Sequence, residues 1–176
     1  MGHKLSRFRF CPACGSDGFI ENDERSKRCR DCGFTYYINA SGAYVAFILN
    51  AKGELLMVRR AKEPAKGTLD LPGGFADPGE RAEEGVAREV MEETGLTVTQ
   101  TKYLFSEPNR YEYSGMIIPT LDLFFLCKVA DETAVFAQDD AEEARWVPLS
   151  DINPDEVGLH SVRQGLIRFL HSFDER

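Results

Sequence analysis

Three acidic residues in one short segment, Glu89, Glu92 and Glu93, have the chemistry and spacing to hold a metal ion. They lie within residues 80–94, which contain no proline and are followed by Gly95, so we predict a helix that ends at this glycine. The spacing i, i+3, i+4 places the three carboxylates on one face of the helix. Crowded carboxylates repel one another unless a cation neutralises them. Hard oxygen ligands at this density suit Mg²⁺ or Mn²⁺. The phosphates of a substrate complete the coordination of such an ion.

Two turns must position this helix. Residues 71–74, with the sequence LPGG, can bend tightly because glycine has no Cβ, and residues 77–79, DPG, form a second turn. Beside the glutamates, Ala82, Val86 and Val90 form an apolar stripe that would pack the helix against a sheet.

The complete spacing resembles the Nudix box at every defined position. Gly74 is followed after five residues by Glu80, and after seven more by residues 88–96, REVMEETGL. The resemblance implies a Nudix α/β/α sandwich from about residue 40 onward. It also implies an enzyme, a pyrophosphohydrolase that uses Mg²⁺ or Mn²⁺ to cleave a nucleoside diphosphate linked to another moiety.

Carried over by position, the resemblance implies that Glu92 and Glu93 are the main metal ligands. Glu89 would lie beside them, together with a carbonyl oxygen of Gly73 or Gly74. Arg88 would pair with a carboxylate of the box, for which Glu80 is the candidate. A carboxylate must also accept the proton of the attacking water, and in this family it comes from the box or from a later loop. Three acids of residues 138–143 are candidates for that role: Asp140, Glu142 and Glu143.

Segments on both sides of the box read as strands. Residues 43–49 form an apolar run, and 54–60 follow it after a turn. Arg59 and Arg60 end the second strand. The resemblance implies that basic residues here meet substrate phosphates, whereas the alternative is that both are solvated strand-end residues.

Residues 97–105 and 121–129 also read as strands, and we predict a polar loop over 106–115 between them. This loop would border the substrate, with Tyr111 stacking on a base and Arg110 meeting a phosphate or ribose. A structural role for the tyrosine is the alternative.

The C-terminal part contributes a helix over residues 160–172 and a core cysteine, Cys127. One side of that helix is apolar and should pack on the sheet. Its members are Val162, Leu166, Phe169, Leu170 and Phe173.

Four of the five cysteines form two C-x-x-C pairs near the N-terminus, 14 residues apart: Cys11 and Cys14, then Cys29 and Cys32. This spacing predicts a zinc ribbon. The alternatives are disulfides, which a reducing compartment disfavours, and a single redox motif, which does not explain the second pair. Four thiolates leave no position for water, so Zn²⁺ would be structural. We therefore predict a zinc ribbon over 1–38 and a Nudix domain over 39–176.

A zinc ribbon ahead of a Nudix domain is similar to the NADH pyrophosphatase branch of the family. That branch carries a Ser-Gln-Pro-Trp-Pro-Phe-Pro motif, whereas residues 106–111, SEPNRY, keep only its serine and first proline. We expect a dinucleotide or nucleotide-sugar substrate. The alternative class is a non-catalytic nucleotide-binding sensor or scaffold, which would be expected to lose metal carboxylates that this chain keeps.

Composition narrows the partners. The chain has 176 residues, 43% of them hydrophobic, and a formal charge of −8. This charge argues against general nucleic-acid binding, which depends on Lys and Arg at the phosphates, but divalent cations can supply positive charge to a nucleotide site. No segment is apolar enough for a membrane span, and the first residues lack a signal-peptide core, so we expect a cytoplasmic protein. A homodimer is left open.

Overall fold

The computed structural model describes residues 2–133, 135–137 and 139–174, without the side chains of residues 173 and 174. Gln138 in the predicted acidic loop and the side chain of Phe173 therefore lie outside the description. Within the described residues there are ten strands, two α-helices and two short 3-10 helices. The strands are β1 (Phe19–Asp23), β2 (Ser26–Cys29), β3 (Thr35–Tyr37), β4 (Ser41–Ile48), β5 (Glu54–Arg60), β6 (Leu69–Asp70), β7 (Gly73–Phe75), β8 (Val98–Tyr113), β9 (Met116–Val129) and β10 (Ala141–Pro148). The helices are α1 (Ala82–Thr94) and α2 (His160–Asp174), and the 3-10 helices are Leu149–Asp151 and Pro154–Glu156.

The first three strands form a small antiparallel sheet of their own, in the order β1-β2-β3. Its buried interior consists of Cys11, Phe19 and Cys29. So few apolar side chains cannot stabilise a sheet of this size, which is why the cysteines matter to it.

The remaining strands form two sheets, ordered β7-β4-β9-β8 and β10-β5-β6. In the first of these, β4 and β9 are parallel, and the other neighbours are antiparallel. The run in β4 is continuously apolar because both of its faces are covered. Tyr44 and Ala46 pack with Val86 and Val90 of α1.

The opposite face of β4 builds the second core cluster. Val45 and Phe47 pack there with Phe124, Leu166 and Phe169. Helices thus cover both sides of the sheets, and the predicted α/β/α sandwich is confirmed. The predicted packing face of α2 is confirmed as well for its described members.

The helix that carries the glutamates begins and ends as its sequence indicates. The carboxylate of Glu84 accepts a hydrogen bond of 3.0 Å from the backbone N–H of Arg81, which closes the N-terminus. Gly95 has φ 71° and donates its N–H to the carbonyl of Met91 over 2.9 Å. A left-handed glycine therefore stops the helix two residues after the last glutamate, Glu93.

The prediction of a loop over residues 106–115 is wrong. This segment continues β8, and it pairs with β9 up to Tyr113 and Met116. Ser114 and Gly115, at φ 50° and 69°, form the two-residue turn. Polar composition suggested a loop, but the backbone of β9 satisfies the hydrogen bonds of this strand, whose side chains are exposed or half-buried.

The hairpin tip is also in contact with the N-terminal segment. The guanidinium of Arg7 donates a hydrogen bond of 3.1 Å to the carbonyl of Ser114. No helix among the described residues combines the length and the hydropathy that a bilayer span requires.

Candidate active site and cysteine centre

Arg88 organises the acidic face of α1. Its guanidinium donates to both carboxylate oxygens of Glu80, over 3.1 and 2.9 Å, so the predicted pair is present. The same group donates to Glu89 over 2.8 Å and to Glu92 over 2.9 Å, and to the carbonyl of Phe75 over 3.2 Å. The hydrogen bonds that Arg88 donates to Glu80, the largest influence, raise the pKa of Arg88 above its ordinary value. One cation thus fixes three carboxylates that would otherwise repel one another.

Glu93 lies deeper than the other glutamates. It is buried, and it accepts a hydrogen bond of 3.0 Å from the backbone N–H of Gly73. Burial, reinforced by Asp70, Glu89 and Asp140 and opposed by this N–H, raises the pKa of Glu93 to about 8. A cation close to such a carboxylate would strongly stabilise its ionised form.

The glycine-rich loop must lack side chains for the glutamates to fit. A Cβ at Gly74 would lie 2.5 Å from the carboxylate of Glu89, and one at Gly73 would lie 2.1 Å from the carbonyl oxygen of Tyr44. Burial, opposed by Arg88, raises the pKa of Glu89 as well. The backbone therefore approaches the acidic face closely, which is the approach that a carbonyl ligand at Gly74 would need.

These groups open onto a cleft of about 340 Å³. Eight carboxylates line it against two guanidinium groups. An anionic diphosphate could enter only with cations that offset this charge. Hard oxygen donors, crowded and partly buried, fit Mg²⁺ or Mn²⁺. The chemistry of these donors therefore suits a divalent cation, for which Glu89, Glu92 and Glu93 stay the predicted ligands.

Of the two predicted phosphate-binding arginines, only Arg60 lines the cleft. It donates to Asp70 over 2.6 Å and to the carbonyl of Pro64 over 2.8 Å. Burial opposes its charge, yet Asp70 and the hydroxyl of Tyr111 raise its pKa. Arg59 instead donates to Glu143 over 3.2 Å and to the carbonyl of Gly67 over 2.7 Å, away from the cleft.

The structure also separates the three candidate proton acceptors. Asp140 lines the cleft, and its carboxylate is paired with Lys62. Glu143 is paired with Arg59 and with Arg145, and it does not line the cleft. Glu142 is exposed on β10 and does not line it either.

Alternation along β8 decides which predicted substrate residues face the cleft. Tyr111 lines it, with its ring 5.2 Å from that of Phe75 in an edge-on arrangement. Arg110 lies on the other side of the strand, where it is exposed and does not line the cleft. Because the segment was predicted to be a loop, the alternation of its side chains between two faces was not anticipated.

Several polar groups of the cleft were not anticipated from the sequence. They come from strands and from the turn before β10, which meet only in the fold: Asp70, Asn109, Thr120, Asp122 and Asp139. A signal did exist for Asp122, because it is the one acid inside the apolar run 121–127, LDLFFLC. A charged residue in a buried strand needs a partner or a function.

The four N-terminal cysteines converge on one point. Their sulfur atoms all lie within 4.8 Å of one another, and the pairs Cys11–Cys32 and Cys14–Cys29 are each 3.7 Å apart. Four sulfurs bound at ~2.3 Å to a tetrahedral zinc would be about 3.8 Å apart, so the cluster fits Zn²⁺.

Local backbone groups prepare this centre. Each knuckle turns at a glycine, where Gly15 donates its N–H to the carbonyl of Cys11 and Gly33 to that of Cys29. The N–H of Cys32, the largest influence, lowers the pKa of Cys29 to about 6 in spite of burial. The thiolate that zinc requires is therefore favoured at Cys29, whereas at Cys14, opposed by the N–H of Ser16, hydrogen bonds with the neighbouring thiols raise the pKa to about 12.

Known proteins are similar to this chain in both sequence and fold. The model of the NUDIX domain matches residues 39–169. The NAD-capped RNA hydrolase NudC of Stutzerimonas stutzeri (strain A1501) is 30% identical over 170 residues, which cover 97% of this chain and 57% of that protein. The NAD-capped RNA hydrolase NudC of Deinococcus radiodurans is 33% identical over 147 residues, which cover 82% of this chain and 50% of that protein. The chain thus spans about half the length of these curated relatives.

Among solved structures, a NUDIX hydrolase from Nitrosomonas europaea matches with a TM-score of 0.73 at 21% identity, over 93% of this chain and 91% of that one. At this identity the match concerns the fold alone. The domain match is broader evidence, because it covers well over half of the chain and includes the glycine loop and the glutamate helix. This protein belongs to the Nudix family.

Proposed function

We propose that this protein is a pyrophosphohydrolase that cleaves the diphosphate linkage of a nucleoside diphosphate joined to another moiety. The observation that carries the proposal is the buried carboxylate of Glu93 against the Gly73 backbone, beside Glu89 and Glu92 in one cleft. Family membership supports it, and so do the relatives that are named as hydrolases of NAD-capped RNA. We expect a dinucleotide or nucleotide-sugar substrate, whose negative charge divalent cations would offset in this acidic cleft.

We assign the divalent cation, Mg²⁺ or Mn²⁺, to Glu89, Glu92 and Glu93, with a carbonyl oxygen of Gly74 as a further ligand. When bound, such a cation polarises the bridging phosphate and screens its charge. Arg88 holds the glutamates in place through its hydrogen bonds to them. The chain's own carboxylates then determine where the cation can sit.

The remaining groups of the cleft take the other roles. Asp140 accepts the proton of the attacking water, a role supported by its place in the cleft and by the Lys62 pair that fixes its carboxylate. Arg60 contacts the phosphates, and Tyr111 stacks on a base or sugar ring. Asp140 is preferred over Glu143 because Glu143 is bound to two arginines outside the cleft.

We further propose a structural Zn²⁺ on Cys11, Cys14, Cys29 and Cys32, in a zinc ribbon over residues 1–38 ahead of the Nudix domain over 39–176. The five free cysteines support a reducing compartment, for which we propose the cytoplasm. The substrate is a small nucleotide, and assembly as a homodimer is compatible with this function.

Incubation with a panel of diphosphate-linked nucleotides tests the activity. The panel contains ADP-ribose, NADH, UDP-glucose and a dinucleoside polyphosphate, each with Mg²⁺, with Mn²⁺ and with excess chelator. We expect a nucleoside monophosphate to be released from at least one compound, and only when a divalent cation is present. Binding without any cleavage across the panel would instead identify a non-catalytic sensor or scaffold.

A further inference from the structure

Two groups in the lining of the cleft differ in their chemistry. One is formed by the glutamates of α1, whereas the other is a polar floor built by Thr120 and Asp122 of β9 and Asn109 of β8. Asp122 is only 4% exposed and Thr120 only 3%, yet both line the cleft. Asn109 faces Thr120 directly across the strand pair. We call these three residues the cleft floor.

Hydrogen bonds hold Asp122 without neutralising its charge. Its carboxylate accepts from Thr120 over 2.6 Å, from Ser161 over 2.5 Å and from Asn109 over 3.4 Å. All three donors are neutral, and none of the ion pairs among the described residues includes Asp122. A carboxylate has about four acceptor positions, and a hydroxyl that donates can still accept. The cleft floor therefore retains capacity to bind a ligand that donates and accepts hydrogen bonds.

The charges nearby exclude a phosphate from this floor. Asp70 is buried close enough to Asp122 for the two carboxylates to influence each other. The charge of Asp70 is offset by Arg60, whereas that of Asp122 is not offset by any cation in the part of the chain that is described. Two buried carboxylates, of which one is paired with a guanidinium and the other is not, repel an anion. The part of the substrate that reaches the floor must be uncharged or cationic, and it must donate hydrogen bonds.

We propose that the cleft floor is a subsite for the hydroxyl groups of a sugar attached to the diphosphate. This inference rests on the proposed function and names the chemistry that the site would select. A sugar hydroxyl can donate to Asp122 and accept from Asn109, and a vicinal pair can engage both. Tyr111 lies two residues along β8 from Asn109 on the same face, so its ring can pack beside the bound sugar.

The sugar could belong to the nucleoside or to the moiety on the other side of the diphosphate. Three ligands distinguish these sources. ADP-ribose has hydroxyls on both sides, the propyl ester of ADP lacks those of the second moiety, and 2′,3′-dideoxyadenosine diphosphate ribose lacks those of the nucleoside.

A purely structural role for Asp122 has a matched control within the chain. Ser161, at the start of α2, donates to Oδ2 of the Asp122 carboxylate but does not line the cleft. If Asp122 only anchors α2, Ser161→Ala and Asp122→Asn should act alike on every ligand.

The test compares kcat/KM of the wild type, Asp122→Asn and Ser161→Ala on the three ligands with Mg²⁺. We expect Asp122→Asn to lower kcat/KM for ADP-ribose by roughly tenfold to a hundredfold, the range for a hydrogen bond to a charged group. The analogue that lacks the recognised hydroxyls should already be a poorer substrate of the wild type, and Asp122→Asn should scarcely affect it further. Ser161→Ala should change all three by less than about threefold, since it removes a bond outside the cleft.

Equal losses on all three ligands in both variants would overturn the subsite, and so would an unchanged Asp122→Asn. If Asp122→Asn does not fold, Thr120→Val carries the same test, because it keeps the shape and removes a hydroxyl from the cleft. Titration calorimetry of the three ligands with Ca²⁺ in place of Mg²⁺ separates the two proposals. Tighter binding of the hydroxylated ligand with Ca²⁺, together with no turnover of any ligand with Mg²⁺, would contradict the proposed function and support the subsite. Turnover with Mg²⁺, together with equal binding of all three ligands, would support the proposed function and contradict the subsite.

Discussion

The cysteine centre and the glutamate cluster both gather groups of like charge, but they are assembled in different ways. The cysteine centre closes within Cys11–Cys32, and its turns are made by the two knuckles themselves. The glutamates share one turn of α1, yet the surroundings of Glu93 include the Gly73 loop, Asp70 of β6 and Asp140 of the segment before β10. One centre is local, whereas the other depends on the whole sandwich.

This difference matches what each centre has to do. Four soft thiolates complete a tetrahedron and leave no open position, so a zinc held there can only stabilise the structure. The glutamates leave room for a substrate, because a cation held by a few carboxylates keeps other positions open. A closed site can be built by a short segment. An open site requires a cleft around it, and a cleft requires the fold.

The contrast between a local cysteine centre and a fold-dependent glutamate cluster can be tested by substitution, and the largest effect is expected at the cysteine centre. Cys14→Ser removes one of four ligands, so the protein should lose its bound zinc, from about one equivalent to nearly none, and residues 1–37 should become mobile. Metal analysis after purification under reducing, chelator-free conditions gives the zinc content, and hydrogen exchange gives the mobility. Cys127→Ala is the control, because it removes a core thiol outside the centre. Wild-type protein without zinc would contradict the assignment.

At the glutamate cluster, Glu93→Gln keeps the shape of the side chain and removes its charge. We expect kcat to fall by roughly a hundredfold to a thousandfold, the usual loss for one group that stabilises the transition state electrostatically. The zinc content should not change, since the two centres are independent. Glu83→Gln, on the exposed first turn of the same helix, controls for the loss of a carboxylate. Full turnover in Glu93→Gln would remove this residue from the site.

Asp140→Asn tests whether the segment before β10 takes part in the chemistry. The loss of a general base should lower kcat by about a hundredfold, at the lower end of the range for such groups. Glu143→Gln should stay near wild type, because Glu143 is bound to arginines outside the cleft. Steady-state rates of both variants at saturating substrate decide the matter. The reverse order of effects would reassign the base to Glu143.

The smallest effect is expected at Tyr111. Tyr111→Ala should raise KM by the equivalent of about 1–3 kcal/mol, the range for one base–aromatic stack, while kcat changes less. Glu112→Gln, next to it on the exposed face of β8, is the matched control. KM values are measured on the best substrate of the panel, together with melting temperatures. A lower melting temperature with an unchanged KM would mean that the ring only packs on Phe75.

The features that could be predicted from the sequence are the local ones, and those that could not be predicted depend on the whole fold. The helix, its glycine stop, the glutamate face and the cysteine spacing are encoded by residues close in the chain, and these predictions agree with the structure. The cleft floor was missed because Asn109, Thr120 and Asp122 meet only through strand pairing. The hairpin was mistaken for a loop because its partner strand, not its composition, makes it a strand. A sequence read on its own contains local rules, whereas register and strand order are decided by the fold.

The parallel pairing of β4 with β9 has a consequence for how the molecule folds. Each pair, from Ser41–Thr120 to Ile48–Cys127, joins residues that are 79 positions apart. Closing so long a loop costs about 1 kcal/mol more entropy than closing the 21 positions from Cys11 to Cys32. Pairings of such long range also slow folding. The cysteine centre can therefore form early from its own segment, whereas the cleft exists only once the two halves of the chain have met.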